Sequence, residues 1–196
     1  MVEMLSRGKA VTVARYYEDA LIIGSDTIVS CGGRMLGKPR DEEDACRMLS
    51  MIQGATHDVF TGVAVVDTAG IRRSDGAGEL RERDGEREGE HTASDIRLGD
   101  TGQYRIASES PDGRPRIIVG HTASKVTFRP MTDHEIRAYV KTGFPMDKAG
   151  AYGVQELGAV FIEKIAGDFY SIMGLPLNLL YQMLLPFGIS PFHGEI

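Results

Sequence analysis

Apolar side chains recur along the chain with two periods, and each period marks a kind of element. Over residues 2–17, Val2, Leu5, Val13 and Tyr17 stand among polar residues at near-helical spacing interrupted by Gly8, which predicts a helix. Residues 20–24 (ALIIG) form a short β-branched run that predicts a buried strand ending in Ser25-Asp26-Thr27. At the centre of residues 29–36 stands Gly32-Gly33, a pair able to supply the positive φ of a two-residue hairpin turn. Asp41 and Asp44 have capping-box spacing. Ala45, Met48, Leu49 and Ile52 then fall on one helical face before Gly54, so a helix is predicted there. Residues 57–67 (HDVFTGVAVVD) are apolar on both alternating sets, the mark of a strand buried on both faces.

The pattern breaks at Gly70. From there to Arg116, Gly, Arg, Glu and Asp dominate and large apolar residues are nearly absent. Such a segment buries too little surface to offset an ordering cost of about 1–2 kcal/mol per residue. It reads as a low-complexity polar insertion, a mobile excursion between strands of a single domain spanning 1–196. Strand character returns over 117–128, closing with Ser124, Val126 and Phe128 in alternation. Thr132 and Glu135 form a capping box ahead of Ile136, Tyr139 and Val140, and Gly143 with Pro145 stops that helix. Residues 159–165 and 169–173 flank Ala166-Gly167-Asp168, which predicts a second hairpin. Pro176 opens a last helix carrying Leu177, Leu180, Tyr181 and Leu184, ended by Gly188. Strands alternating with helices place the chain in the α/β class, a mixed sheet with flanking helices.

Composition narrows the partners. The 196 residues are 42% hydrophobic and 26% charged, an ordinary globular mixture. With 22 Lys and Arg against 28 Asp and Glu, the net charge of -6 argues against a nucleic-acid-coating protein, which needs a basic face. No apolar run approaches the roughly 20 residues that span a bilayer, and Val2-Glu3-Met4 after Met1 lacks the basic and apolar regions of a signal peptide. The expectation is a cytoplasmic protein with neither nucleic acid nor membrane as partner. Cys31 and Cys46 read as reduced packing thiols, and His57, His91, His121, His134 and His193 show no paired metal-ligand spacing.

Four short polar islands carry the candidate chemistry: Lys9 in RGKA, Asp26-Thr27 in GSDT, Lys38 in GKPRD, and Asp147-Lys148 in MDKAGAYGVQ. Each is expected where a strand or hairpin ends, the usual location of ligand sites in α/β folds. Lysines converging with carboxylates suit a polyanion and a divalent cation, because ammonium groups neutralise phosphate oxygens and a carboxylate holds Mg2+. No G-x-x-x-x-G-K-[ST] motif is present, so a phosphate cradle of that type is excluded.

The islands lie within longer segments: RGKAVTVA at 7–14, IIGSDTIV at 22–29, LGKPRDEEDACRML at 36–49, QGATHDVFTGVAVV at 53–66 and KVTFRPMTDHEIRAYVKTG at 125–143. The most specific is PMDKAGAYGVQELGAVFIEKIAGDFYSIMGLPL at 145–177. In these segments the sequence resembles the Maf family of nucleoside triphosphate pyrophosphatases. The resemblance implies a two-lobed, mixed α/β fold of the Maf/ITPase-like kind, with a nucleotide cleft. It also implies hydrolysis of a nucleoside triphosphate between the α and β phosphates, and the DKAGAYGVQ form is similar to the branch acting on dTTP and UTP. On that resemblance Asp26 is the proton acceptor that activates water and the carboxylate for a divalent cation, Mg2+ or Mn2+. Lys9 and Lys38 contact phosphate, Thr27 and Gln155 bear on base choice, and Asp147 and Lys148 are polar residues of the same cleft.

The family pattern normally opens with a strand and a Ser-x-Ser-Pro-Arg-Arg loop ahead of the helix that carries Lys9. Here Met1 stands eight residues before Lys9. The first strand is therefore expected to be missing, together with a serine and paired arginines whose bidentate phosphate contacts lysine does not reproduce. A sheet edge left open in this way would favour a homodimer. Phe144 stands where many relatives carry Glu. Three functions remain open: a dTTP/UTP pyrophosphatase, a pyrophosphatase for modified or non-standard nucleotides, and a catalytically impaired nucleotide-binding remnant acting through protein contacts in cell-division arrest.

Overall fold

The computed structural model describes residues 1–69, 95–99 and 102–192. Helix α1 (Val2–Ala14) runs unbroken through Gly8 and buries the small residues Ser6, Ala10 and Ala14. Those side chains let it lie close on strand β1 (Leu21–Cys31): a Cβ added at Gly24 would stand 2.4 Å from the Ser6 carbonyl oxygen and 2.9 Å from Ala10 Cβ. Gly32 (φ 55°) and Gly33 (φ 76°) turn the chain into β2 (Arg34–Leu36), as their spacing predicts. Helix α2 (Glu42–Ile52) is capped by Asp41, whose side chain accepts from the Asp44 amide at 2.7 Å. The Asp44 carboxylate turns instead to Arg47, so the box is only half closed.

Two long strands form the centre of the sheet. β3 (Thr56–Asp67) pairs with β6 (Pro115–Phe128) from Thr56↔Thr127 to Val66↔Ile117. With β4 (Ile96–Leu98), β5 (Gly102–Glu109) and β7 (Ile162–Ala166), the order is β2-β1-β3-β6-β5-β4, and β7 also pairs with β6. β5 takes the first half of β6 and β7 its last residues, Lys125 to Phe128. Helices α3 (Asp133–Lys141), α4 (Phe169–Met173) and α5 (Leu177–Leu184) complete the elements, and α3 shows both halves of the Thr132–Glu135 capping box.

The structure corrects four expectations. The α/β class stands, but every pair in the described sheet is antiparallel where mixed pairing was expected. Asp26 and Thr27 lie inside β1, which continues beyond them because their backbone pairs with Gly62 and Thr61 of β3. Residues 166–168 make no hairpin. Asp168 accepts from the Tyr170 amide at 2.9 Å as an N-cap, and 169–173 become helix α4. Finally, the C-terminal part of the expected 70–116 excursion is built into the sheet as β4, β5 and the start of β6. Tyr104, 8% exposed, and Ile106 face α5 at period two, and Gly113 (φ 79°) closes the β5–β6 turn. Residues 70–94 and 100–101 lie outside the described residues.

The core divides along β3 and β6. Val59, Val126 and Phe128 pack with α2, α3 and Tyr152 in one cluster. Val63, Val65 and Ile118 pack with α5 in a second, and Ala64, Val66 and Val119 pack under α1 in a third. Between these apolar regions the sheet carries buried hydroxyls, Thr61, Thr122 and Ser124, of which Thr61 meets Thr27 of the cleft lining.

Candidate active site

All seven residues singled out in the sequence line one cleft of about 340 Å³: Lys9, Asp26, Thr27, Lys38, Asp147, Lys148 and Gln155. They arrive on four different pieces of chain. α1 presents Lys9, the middle of β1 presents Asp26 and Thr27, the turn after β2 presents Lys38, and the 3-10 turns between α3 and β7 present the rest. β2 pairs only with Val29–Cys31, so no β2 residue screens Asp26 and Thr27.

Alternation along β1 sorts the cleft into two sides. Asp26 shares the face of Gly24, toward α1, where Lys9 Nζ donates to Asp26 Oδ1 at 2.5 Å and to the Ser25 carbonyl at 3.1 Å. The ammonium is 59% exposed and the carboxylate 19%, and such an accessible ion pair is worth at most about 1 kcal/mol, so a phosphate can compete for the lysine. Ser25, Thr27 and Val29 take the other face. There Thr27 meets Thr61, and Val29 joins Val59, Tyr152 and Ile172 in an apolar wall.

Across the cleft, Lys148 Nζ donates to Asp147 Oδ1 at 2.9 Å and to the Phe144 carbonyl at 3.0 Å. That hydrogen bond, with the charges of Lys148 and Lys38, holds the Asp147 carboxyl below the usual carboxylate range, and Asp147 in turn raises Lys148. The side chains of Lys38 and Gln155 make no hydrogen bond among the described residues. The lining thus carries three ammonium groups and two carboxylates, with the Glu156 carboxylate 3.7 Å from Lys148 Nζ just outside it, a local balance far less negative than the -6 of the whole chain.

Ala151 (φ 60°) and Glu156 (φ 65°) hold left-handed backbone in the loop bearing Lys148 and Gln155, a conformation retained only where surrounding contacts over-determine it. Those contacts are visible. The Gly150 amide donates to the Gly37 carbonyl at 3.0 Å, and the Tyr152 hydroxyl meets His57 Nε2 at 2.8 Å. His57 is 1% exposed, its Nδ1 has no hydrogen-bond partner among the described residues, and burial pushes its pKa down to about 4, which favours the neutral ring. Burial likewise raises the Tyr152 phenol. Sequence reasoning missed Ser25, Tyr152 and Gly174 in the lining, and the layer of Thr61 and His57 behind it. Strand periodicity marks the last two only as buried; the signal was polarity on a buried face.

Among the described residues no three His, Cys, Asp or Glu gather as a metal-ligand set. A divalent cation would therefore rest on a single carboxylate and on ligand oxygens. That donor set fits Mg2+, which is commonly held by one or two carboxylates plus substrate phosphates. No helix among the described residues is long and apolar enough to cross a membrane.

Comparison with known proteins identifies the chain's relatives. A family model described as Maf-like protein matches residues 1–89 and 101–187. A dTTP/UTP pyrophosphatase of Clostridium novyi (strain NT) is 37% identical over 190 residues, 96% of this chain and 76% of the relative. The protein of the same name from Pelotomaculum thermopropionicum is 39% identical over 97% of this chain and 76% of its own length, and that of Moorella thermoacetica 38% over 96% and 75%. Both the matched residues and the extent of these likenesses place the chain in the Maf-like protein family.

Proposed function

We propose that this chain hydrolyses dTTP and UTP to the nucleoside monophosphate and pyrophosphate, with its seven cleft residues as the site. The observation that carries this reading is their convergence: three lysines, two aspartates, a threonine and a glutamine from separated segments line one cavity. The relatives' names supply the substrate pair.

The chemistry follows from the two sides of the cleft. Lys9, Lys38 and Lys148 neutralise the triphosphate and the charge that builds on departing pyrophosphate, where positioning and electrostatics supply most of the catalysis. Lys9 is the pivotal one. Lys9 pairs with Asp26, and its transfer to a phosphate oxygen would leave that carboxylate available to accept a proton from the attacking water. A divalent cation held by Asp26 and phosphate oxygens would supply further charge neutralisation. Gln155 offers an amide that donates and accepts together, matching the adjacent carbonyl and N–H of uracil or thymine. Asp147 orients Lys148.

Pyrophosphate release from UTP, dTTP, CTP, dCTP, GTP, ATP, a methylated triphosphate (5-methyl-CTP) and a deaminated one (ITP), with Mg2+ or Mn2+, tests the reading. Preferential turnover of UTP and dTTP is expected. Nucleotide binding without turnover would instead identify a binding remnant, and preference for a methylated or deaminated base a house-cleaning pyrophosphatase.

A further inference from the structure

A count of hydroxyl protons fixes the polarity of one cleft residue. Thr61 Oγ1, fully buried on β3, lies 2.7 Å from the Ser171 carbonyl oxygen and 2.9 Å from Thr27 Oγ1. A carbonyl oxygen only accepts, so the single Thr61 proton goes to Ser171. The Thr27 hydroxyl must then donate to Thr61, since otherwise two lone pairs would face each other at 2.9 Å. Ser171 is held in place on its other side. Its own hydroxyl donates to the Asp168 carbonyl at 2.7 Å and meets Ser124 Oγ at 3.0 Å, and the Gly174 amide also reaches its carbonyl oxygen at 2.9 Å.

With its proton turned inward, Thr27 shows the cleft lone pairs alone. Thr27 stands on the apolar side of the cleft, on the same face of β1 as Val29, and Met173 also lines the cavity; Asp26 and Lys9 take the opposite side. The charged side suits phosphates and the apolar side a planar base. A hydroxyl that only accepts, placed there, favours a ring that offers N–H. At N3 uracil and thymine carry a proton where cytosine carries a lone pair, whereas at C4 cytosine is the donor through its amino group, so the preference is for a base whose N3 edge meets Thr27.

We propose that Thr61, which does not line the cleft, is a specificity-positioning residue: by taking the proton of Thr27 it makes Thr27 an obligate acceptor that selects uracil and thymine over cytosine. The proposal rests on the nucleotide reading of this cleft and adds to it the source of the base preference.

Calorimetric titration with UTP and CTP in EDTA reads it directly, using the wild type, Thr61→Val and Thr61→Ser, with turnover and thermal stability measured in parallel. In Thr61→Val the carbonyl of Ser171 keeps the Gly174 amide, and Thr27 becomes free to turn its proton toward the cleft. The UTP-over-CTP affinity ratio should fall about tenfold in Thr61→Val, through weaker UTP and stronger CTP binding, while Thr61→Ser keeps the wild-type ratio. A Thr61→Val ratio equal to the wild type overturns the proposal, as does equal weakening of both ligands, which would mean that Thr27 meets the sugar. Loss of the ratio in Thr61→Ser, or a wild type that binds neither nucleotide, overturns it as well. A wild type that binds UTP selectively but releases no pyrophosphate overturns the hydrolytic function alone.

Discussion

At the scale of single residues, the site depends on side chains held in chosen protonation states by their surroundings. His57 is the clearest case. Its pKa is pushed from 6.5 to about 4 by burial, so between those values the unfolded chain binds a proton that the folded chain refuses. Stability from this group is complete above pH 6.5 and is lost as pH falls toward 4. Between pH 7.5 and 5 the loss amounts to about 2 kcal/mol, at roughly 1.4 kcal/mol per pH unit below 6.5. Urea unfolding at the two pH values should show that drop in the wild type and little of it in His57→Phe. An equal drop in the variant would show that the imidazole of His57 is not the group responsible.

Elements decide how these residues meet, and the loop from Asp147 to Glu156 shows how closely packed the arrangement is. A Cβ at Gly153 would meet Lys148 Cε at 2.9 Å, the far end of a flexible stem, whereas one at Gly158 would meet the Gly153 carbonyl oxygen at 2.3 Å. Gly153→Ala should therefore keep stability within about 1 kcal/mol while shifting Lys148 and raising KM for UTP several-fold. Gly158→Ala should cost about 1–3 kcal/mol because backbone has to move. Thermal melts and initial rates on both variants distinguish the two outcomes; equal effects on stability would contradict the packing described. Locally determined elements were the legible ones. The Thr132–Glu135 box and the Gly32-Gly33 hairpin contain their own hydrogen-bonding logic and appear where the sequence puts them. Helix α4 was not legible, because the apolar run FYSIM resembles a strand and only the Asp168 cap and the Ser171 contacts make it helical. The line of cleft residues was readable from its motifs. Thr61 and His57 were not, since their roles exist only once β3 is placed behind the cleft.

For the molecule as a whole, distant contacts bring the cleft together. α1 delivers Lys9, and it is tied to the far side of the sheet by Glu3, which accepts from Arg105 of β5 and, at 2.7 Å, from His121 Nδ1 of β6. The His121 hydrogen bond, followed by that of Arg105, draws the Glu3 carboxyl down to about 2 despite its partial burial. β1 presents Asp26 and Thr27 on opposite faces of one strand, so in the proposed function a single element would separate phosphate chemistry from base recognition. Hydrolysis of UTP in 18O-labelled water tests that arrangement most directly. If, as proposed, water activated beside Asp26 attacks the α-phosphorus, the label should enter UMP and be absent from pyrophosphate, and Asp26→Asn should slow the reaction at least about 100-fold. Label recovered in phosphate or pyrophosphate, or an Asp26→Asn rate equal to the wild type, would contradict it.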